Sequence, residues 1–321
     1  MVLLVTYRIA DPDLWQHLLV GKVIWTEHRI PHMQEWVWPT HGMPDVLPSW
    51  LFRALAWPFW AMAGVPGLFA WRWLCALATF ALLWRAARAA GARGPWALVA
   101  LVWCALLYRQ RSQVRPETFT LILAAAQLWL LERRRARGVL AGALDPAWFV
   151  VPIALLWANA HLSYYIGLAI TGAYAVAAMV PTRGSAPAQA PRTLWLALLA
   201  SVAVSFANPF GWRALAQPFE FAFVWRHEPV FQAISELQPI EWPRYASAWL
   251  PAWFAALGLL ALVRTWRRGP DPVQWLLLLA FVPQAFVSQR FLGYLSVLVA
   301  PFLARDLDDV GEALVTPVLR A

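Results

Sequence analysis

Hydrophobic runs about as long as a membrane-spanning helix alternate with short polar segments along this chain. A helix needs about 20 mainly apolar residues to cross the hydrocarbon core of a bilayer, within a range of roughly 17 to 25. The pattern predicts such helices at approximately 67–89, 95–110, 116–132, 146–161, 163–181, 193–208, 246–264, 272–288 and 290–305. We interpret the first ten residues, MVLLVTYRIA, as the tail of another span that starts upstream. The sequence therefore predicts an all-α, polytopic integral membrane protein with about nine or ten transmembrane helices.

Composition and charge support the membrane class. Hydrophobic residues make up 61% of the chain and charged residues 13%, against about 25% charged residues in an average soluble domain. The 23 tryptophans suit the two membrane–water interfaces. A net charge of +9 would also suit a nucleic-acid partner, but the arginines lie in short clusters between apolar runs, as in cytoplasmic loops. We therefore expect membrane lipids and no nucleic acid among the partners.

The arginine clusters also predict the orientation of the chain, because cytoplasmic loops have an excess of Lys and Arg. Arginines occupy every second gap between the predicted spans, at 85–93, at 133–137, at Arg183 and Arg192, at 264–268 and at Arg305. With these gaps in the cytoplasm, residues 11–66 lie outside, together with all six histidines and ten of the seventeen acidic residues. Residues 1–305 are then one transmembrane domain, and residues 306–321 are a short cytoplasmic tail.

Two predicted outer segments, 11–66 and 209–245, are too long to be simple turns. Loops longer than about 12 to 15 residues in a compact fold are usually functional or disordered. The first segment contains the apolar stretch WLFRALAWPFWAMAG (50–64), which would invert every later loop if it crossed the membrane. We expect this stretch to lie in the outer interface as an amphipathic helix. The prolines and aromatic residues of the second segment favour an ordered loop over the bundle.

Several short motifs follow one another in the predicted outer segments. They are DPDLWQHLLVG at 11–21, RIPH at 29–32, VRPETF at 114–119, LWANAH at 156–161, NPFGW at 208–212, SELQPIEW at 235–242 and SQRF at 288–291. Each motif is weak alone, but in this order the chain resembles the GT-C glycosyltransferases, which include protein O-mannosyltransferases and the aminoarabinose transferases of lipid A. It is most similar to uncharacterised bacterial members of that group. The resemblance implies a polyprenyl-phosphate-sugar donor, an outer active face and a bacterial inner membrane.

The resemblance places a catalytic base in the first outer loop, at Asp11 or Asp13. We prefer Asp11 because it lies nearest to the end of the first span. A structural role is the alternative, with Asp11 capping the next helix and Pro12 at its first position. His17 lies four residues after Asp13, so the two could share a metal ion or a proton, and His17 is also a candidate for binding the substrate or its lipid phosphate. Alternatively, His17 could simply be packed by its neighbours. The resemblance allows a divalent metal ion, although no strong metal signature such as H-E-x-x-H is present.

Arginines near the ends of spans are candidates for the lipid phosphate. Arg115 and Arg290 stand beside predicted outer helix ends, and a guanidinium gives bidentate contact with phosphate. Snorkelling from a helix end is the alternative for both. We expect Arg109 and Arg111 to contact lipid headgroups instead.

The remaining outer polar residues are candidates for the sugar and the acceptor. Asn159 and His161 lie in a predicted turn at the bundle mouth, where they could donate hydrogen bonds to a sugar. Glu236 and Glu241 lie in the second outer loop and could approach the acceptor, or they could be solvated loop acids. The sequence does not indicate the sugar, the acceptor or the oligomeric state.

Two other functions remain open at this stage. The chain could be a transporter or lipid flippase without chemistry, or a non-catalytic GT-C relative. Transporters usually place ionisable groups inside their spans. The predicted spans between Arg72 and Arg290 are nearly free of internal charge, which argues against ion coupling.

Overall fold

The computed structural model describes residues 1–138, 144–180 and 191–320, with side chains described through residue 314. The all-α prediction is confirmed, because the described residues form helices and turns without a β-strand, apart from an isolated bridge between Met33 and Pro44. The helices are α1 Val2–Val5, α2 Leu14–Glu27, α3 Trp50–Ala90, α4 Trp96–Tyr108, α5 Pro116–Arg137, α6 Val150–Ala160, α7 Tyr164–Ala177, α8 Pro191–Ser205, α9 Trp212–Phe223, α10 Pro229–Gln232, α11 Leu250–Arg268, α12 Pro272–Val287 and α13 Phe291–Arg320.

Each of the nine hydrophobic segments coincides with one of these helices. By length and composition, Val65–Ala90 is long and apolar enough to cross a bilayer. A second span results if Trp242–Ala248 and Leu250–Arg268, which meet at a bend of 70°, are taken together. Four other apolar helices have between 10 and 17 residues, which is short for the hydrocarbon core. The number of membrane crossings therefore stays a prediction.

A kink divides α3 into two parts. Gly64 has φ 59° and ψ −134°, outside the helical region, and a positive φ strains any residue except glycine. Pro66 follows two residues later and cannot donate a helical hydrogen bond. Residues 50–63 therefore form a separate helical segment before Val65–Ala90, at the place where the sequence predicts an interfacial helix rather than a span.

Two long helices, α5 and α13, run through the hydrophobic core. Leu121 and Leu128 of α5 and Leu295 and Phe302 of α13 are fully buried in one large cluster. Close packing uses small residues, since a Cβ atom at Gly167 of α7 would press against the Trp157 ring of α6. The charged side chains at the two ends of α5 and α13 are thereby held in fixed positions. We call the end with Arg115 and Arg290 the outer end, after the predicted orientation.

The last helix continues beyond residue 305, where we expect the last span to end, and the cytoplasmic location of residues 306–321 stays a prediction. Helix α13 continues to Arg320, and Asp306 and Asp308 are buried, with 2% and 3% of their surface exposed. Asp308 accepts hydrogen bonds from the backbone N–H groups of Arg93 at 2.7 Å and Gly94 at 2.5 Å. The acids after residue 305 thus pair with the rest of the bundle. Arg183, assigned above to an inner gap, lies outside the described residues.

Candidate functional site

Six charged side chains from four separate chain segments meet at the outer end. Three are arginines and three are carboxylates, and we call them the outer cluster: Asp11, Arg111, Arg115, Glu117, Glu236 and Arg290. Four of them, Asp11, Arg115, Glu236 and Arg290, are candidates that the sequence predicts. Folding therefore brings residues that are as far apart as 11 and 290 into one network.

The first pair joins the loop before α2 to the start of α5. Arg115 donates from Nε to Asp11 Oδ2 at 2.5 Å and from Nη2 to Oδ1 at 3.2 Å. Arg115 has an extended backbone at the N-cap position because Pro116 follows it and excludes the helical conformation. The Asp11 side chain has no exposed surface. The bidentate pair uses both oxygens of the residue that we prefer from the sequence as the base.

Glu117 is the buried centre of the cluster. Its Oε1 accepts from Arg111 Nη2 at 2.9 Å and from Arg290 Nη2 at 2.6 Å. The carboxylate is 1% exposed, and a charge so deeply buried is tolerated only when it is paired and hydrogen-bonded. Glu117 therefore holds α5, α13 and the turn after α4 together at this end.

Glu236 closes the cluster from the second outer loop. Its Oε2 accepts from Arg111 Nη1 and from Arg115 Nη1, each at 2.6 Å, and Arg290 Nη1 lies 3.9 Å from Oε1. The Glu236 carbonyl accepts from the Arg290 backbone N–H at 2.9 Å, so the loop is fixed to the start of α13. Burial opposes the charged form, but the nearby guanidinium groups outweigh it and hold the pKa of Glu236 at about 2. Glu236 is therefore ionised throughout the physiological range.

Arg111 corrects the sequence interpretation. We expect a lipid headgroup contact there, but the residue is 8% exposed and its guanidinium bonds to Glu117 and Glu236. The sequence offers one signal, since Arg111 and Glu117 lie in the same outer gap, RQRSQVRPE. That signal cannot distinguish a buried pair from a solvated one, because the third partner, Glu236, lies more than a hundred residues away.

Asp13 differs from the acids of the cluster because its carboxylate is exposed. It occupies the N-cap position of α2, and its side chain makes no capping hydrogen bond. Its backbone N–H instead donates to Asp11 Oδ1 at 3.1 Å, so Asp11 orders the turn. Partial burial and the negative charge of Asp11 raise the pKa of Asp13. Asp13 is thus a carboxylate of increased basicity, open to solvent beside the cluster.

His161 is part of a buried hydrogen-bond chain next to the cluster. Its Nδ1 accepts from the Ser163 backbone N–H at 3.1 Å, and Ser163 Oγ lies 2.8 Å from Tyr294 Oη. Tyr294 Oη in turn lies 3.0 Å from Thr120 Oγ1. Burial lowers the pKa of His161 to about 4, although Glu117 acts in the opposite direction. The imidazole is therefore neutral at pH 7, and an accepting Nδ1 leaves the ring proton on Nε2.

Asn159 is placed differently from the expectation of a sugar contact. Its Nδ2 donates to the carbonyls of Leu155 and Ala207, and its Oδ1 accepts from Trp50 Nε1 at 2.9 Å. The amide is therefore occupied by contacts that tie α3, α6 and the end of α8 together. Glu241 accepts from Gln289 Nε2 at 3.2 Å on an exposed part of the loop.

His17 lies on α2 between the turn of Asp13 and the first part of α3. It is 8% exposed, and its ring meets Phe52 edge-on with 5.3 Å between centroids. Burial and then the charge of Arg53 lower the pKa of His17 to about 3. The described residues contain no group of three or more His, Cys, Asp or Glu side chains arranged to hold a metal ion. A metal ion shared by Asp13 and His17 stays a prediction.

A cavity of about 500 Å³ adjoins the acidic turn. Apolar and aromatic side chains form most of its wall, including Trp15, Trp60, Leu68 and Phe69, and Asp11 and Arg8 border it. A cavity with an apolar wall and a few charged groups at one side suits an amphiphilic ligand.

Comparison of the chain with protein-family models, curated proteins and solved structures finds no match.

Proposed function

We propose that this chain is a membrane glycosyltransferase that moves a sugar from a polyprenyl-phosphate donor to an acceptor at the outer face of a bacterial inner membrane. The observation behind this proposal is the outer cluster itself, with an exposed carboxylate, Asp13, at its edge and an apolar cavity at its side. A transfer of this kind needs a base for the acceptor hydroxyl, cations for the departing phosphate and an apolar site for the lipid.

Asp13 suits the role of base better than Asp11. Both oxygens of Asp11 accept hydrogen bonds from Arg115, and the Asp11 side chain has no exposed surface that an acceptor hydroxyl could reach. The Asp13 carboxylate is solvent-accessible and has a raised pKa, so it can take a proton from an acceptor hydroxyl as the sugar bond forms. General-base assistance is typically worth about 10²- to 10⁴-fold in rate.

Arg115 and Arg290 suit the leaving phosphate. Each guanidinium has five N–H donors, and the ion pairs leave some of them for a ligand. The two side chains are 19% and 26% exposed, in contrast to the 9% of Arg111. Positively charged donors fixed beside a departing phosphate stabilise the charge that develops on it.

The membrane location is part of the same proposal. The arginine clusters favour the outer cluster on the extracytoplasmic side, where a lipid-borne donor can meet a water-borne acceptor. Reporter fusions after Arg137 and after Arg226 test this orientation, with cytoplasmic and outer signals expected in that order. The opposite signals would place Asp13 on the cytoplasmic side and would refute the proposed function.

The activity is tested with Asp13→Asn, Asp11→Asn and the double variant in bacterial membranes. The probes are labelled polyprenyl-phosphate mannose and polyprenyl-phosphate aminoarabinose, and incorporation of label into envelope acceptors is measured. We expect Asp13→Asn to reduce transfer by about 10²- to 10⁴-fold. Glu228→Gln, another exposed acid in a predicted outer loop, is the matched control and should retain wild-type transfer. Wild-type transfer by the double variant would refute the assigned base.

A further inference from the structure

Arg53 is a buried arginine whose charge is poorly matched. It lies in the part of α3 before the kink, 7% exposed, and its Nε and Nη1 are buried without a hydrogen-bond partner among the described residues. Arg72, Arg111 and Arg264 each leave a single nitrogen in that state. An unpaired buried charge carries an uncompensated desolvation penalty of several kcal/mol. Such a guanidinium is stabilised when an anion binds to it.

His17 lies beside Arg53 and also has an unused polar atom. Its Nδ1 is buried without a partner among the described residues. Helices α2 and α3 pack closely here, since a Cβ atom at Gly21 would collide with the carbonyl oxygen of Arg53. The His17 ring contacts Phe52, the residue before Arg53. A neutral imidazole can donate one hydrogen bond, so the two side chains can present three or more N–H groups to a ligand.

The acids around Arg53 act on it only from a distance. Asp45 and Asp13 favour its charged form, but burial is the larger effect and lowers the pKa of Arg53 to about 10. Asp45 Oδ2 accepts from Gln34 Nε2 at 3.2 Å, and Asp13 stands at the N-cap of α2. The outer cluster differs in this respect, because its three guanidinium groups are matched by three carboxylates.

We propose that Arg53 and His17 form a binding subsite that acts together with Arg115 and Arg290 on the single phosphate group of the lipid-linked donor. The proposal rests on the proposed function for the nature of that substrate, and on the unpartnered nitrogens for the site. Guanidinium recognises phosphate oxygens in a bidentate manner, and the neutral His17 ring adds a donor without a charge of its own. The same two helices contribute Trp15 and Trp60 to the apolar cavity, where the lipid part has a place to lie.

Binding is tested with the full chain in phosphatidylcholine nanodiscs, using polyprenyl phosphate without a sugar, the uncharged polyprenol, and inorganic phosphate. We expect polyprenyl phosphate to raise the unfolding temperature of the wild type, and Arg53→Met to weaken its binding by about 10- to 100-fold. His17→Gln should weaken it by a smaller factor. Polyprenol should bind with an affinity that Arg53→Met leaves unchanged. If inorganic phosphate alone stabilises the wild type but not Arg53→Met, the anion is sufficient for the subsite.

The stability of the ligand-free variants separates a ligand-binding arginine from a structural one. Arg53→Met removes an unmatched buried charge, so we expect its unfolding temperature to equal or exceed that of the wild type. Arg72→Met is the control, because Arg72 donates to the carbonyls of Ser112 and Tyr7, each at 2.7 Å, and its loss should lower that temperature. Arg244→Gln, on the exposed loop, should change neither stability nor binding. A destabilised Arg53→Met that still binds polyprenyl phosphate like the wild type overturns the proposal.

The binding result does not depend on sugar transfer. Arg53-dependent binding in a chain that transfers no sugar would support the subsite and refute the proposed function. Transfer with a wild-type KM for the donor in Arg53→Met would refute the subsite and leave the proposed function intact.

Discussion

The outer cluster has a counterpart at the other end of α5 and α13, about 30 Å away along twenty residues of helix. We call this second network the inner cluster, and its members are Glu132, Arg135, Asp271, Gln274, Arg305 and Asp306. Both clusters contain arginines and carboxylates on or next to α5 and α13, joined by side chains from other segments. They differ in how exposed their arginines are and in what lies beside them.

In the inner cluster the central guanidinium is buried and has a partner at each of its three nitrogens. Arg305 donates from Nε to Asp306 at 2.8 Å, from Nη1 to Asp271 at 2.6 Å and from Nη2 to Gln274 at 2.9 Å. The Arg305 side chain is 3% exposed. At the outer end an exposed carboxylate, Asp13, and a buried guanidinium, Arg53, have no such partners among the described residues, and Asp11 of the outer cluster borders a cavity. A charged network therefore indicates a binding site only where some of its groups are left available to a ligand.

The largest expected effect compares the buried centres of the two clusters. Glu117→Gln and Asp271→Asn each leave two arginines without their shared carboxylate. Each should lower the free energy of unfolding by about 3–5 kcal/mol, measured by SDS titration in mixed micelles. Sugar transfer per folded molecule should fall only for Glu117→Gln. Loss of transfer in folded Asp271→Asn would show that the inner cluster also takes part in function.

Low pH should destabilise the fold through protonation of His161 at the outer end. Its folded-state pKa of about 4 lies below the ordinary value of 6.5, so the unfolded chain takes up this proton first as the pH falls. Between pH 6.5 and about 4 the fold should lose on the order of 3 kcal/mol from this group. His161→Gln should remove that part of the loss, measured by unfolding at pH 7, 5.5 and 4.5. The exposed His41→Gln is the control, and an unchanged acid sensitivity in His161→Gln would contradict the assignment.

The smallest effects concern the rims of the clusters. Glu236→Gln should lower the free energy of unfolding by about 1.5–3 kcal/mol, because Glu236 accepts charged hydrogen bonds from Arg111 and Arg115. Asp309→Asn should cost about 1 kcal/mol or less, since its hydrogen bond from Arg264 is long, at 3.3 Å, and its other partner, Arg268, is 61% exposed. The free energies of unfolding of both variants are measured by thermal or SDS unfolding. Equal losses for Glu236→Gln and Asp309→Asn would mean that the two residues are equally solvated, which contradicts this difference between the clusters.

The helices could be predicted from the sequence because hydrophobic periodicity and run length are local properties. All nine hydrophobic segments coincide with helices, and the break before Val65 is indicated by Gly64 and Pro66. The end of the last helix could not be predicted in this way. The run DLDD after residue 305 is polar in sequence, but Asp306 and Asp308 have partners on α12 and in the turn before α4, and α13 continues.

The candidate site was predictable only in part. Asp11, Arg115 and Arg290 could be proposed because polar residues at the ends of apolar runs are unusual and the order of motifs resembles a known group. The roles of Arg111 and Arg53 could not be predicted. The sequence does not distinguish an arginine that snorkels to the interface from one that forms an ion pair or one that binds a ligand. The sequence also could not decide whether Asp11 or Asp13 is the candidate base, because that depends on which of the two carboxylates pairs with Arg115.

The sequence by itself determined the helical class and which residue types are available at each end of the bundle, because burial of apolar surface follows from local composition. Only the tertiary structure decided which charges are neutralised. An ion pair is set by distances of about 3 Å between side chains, and those distances arise when segments more than a hundred residues apart are packed together. The same packing leaves Asp13 exposed and Arg53 unmatched at the outer end.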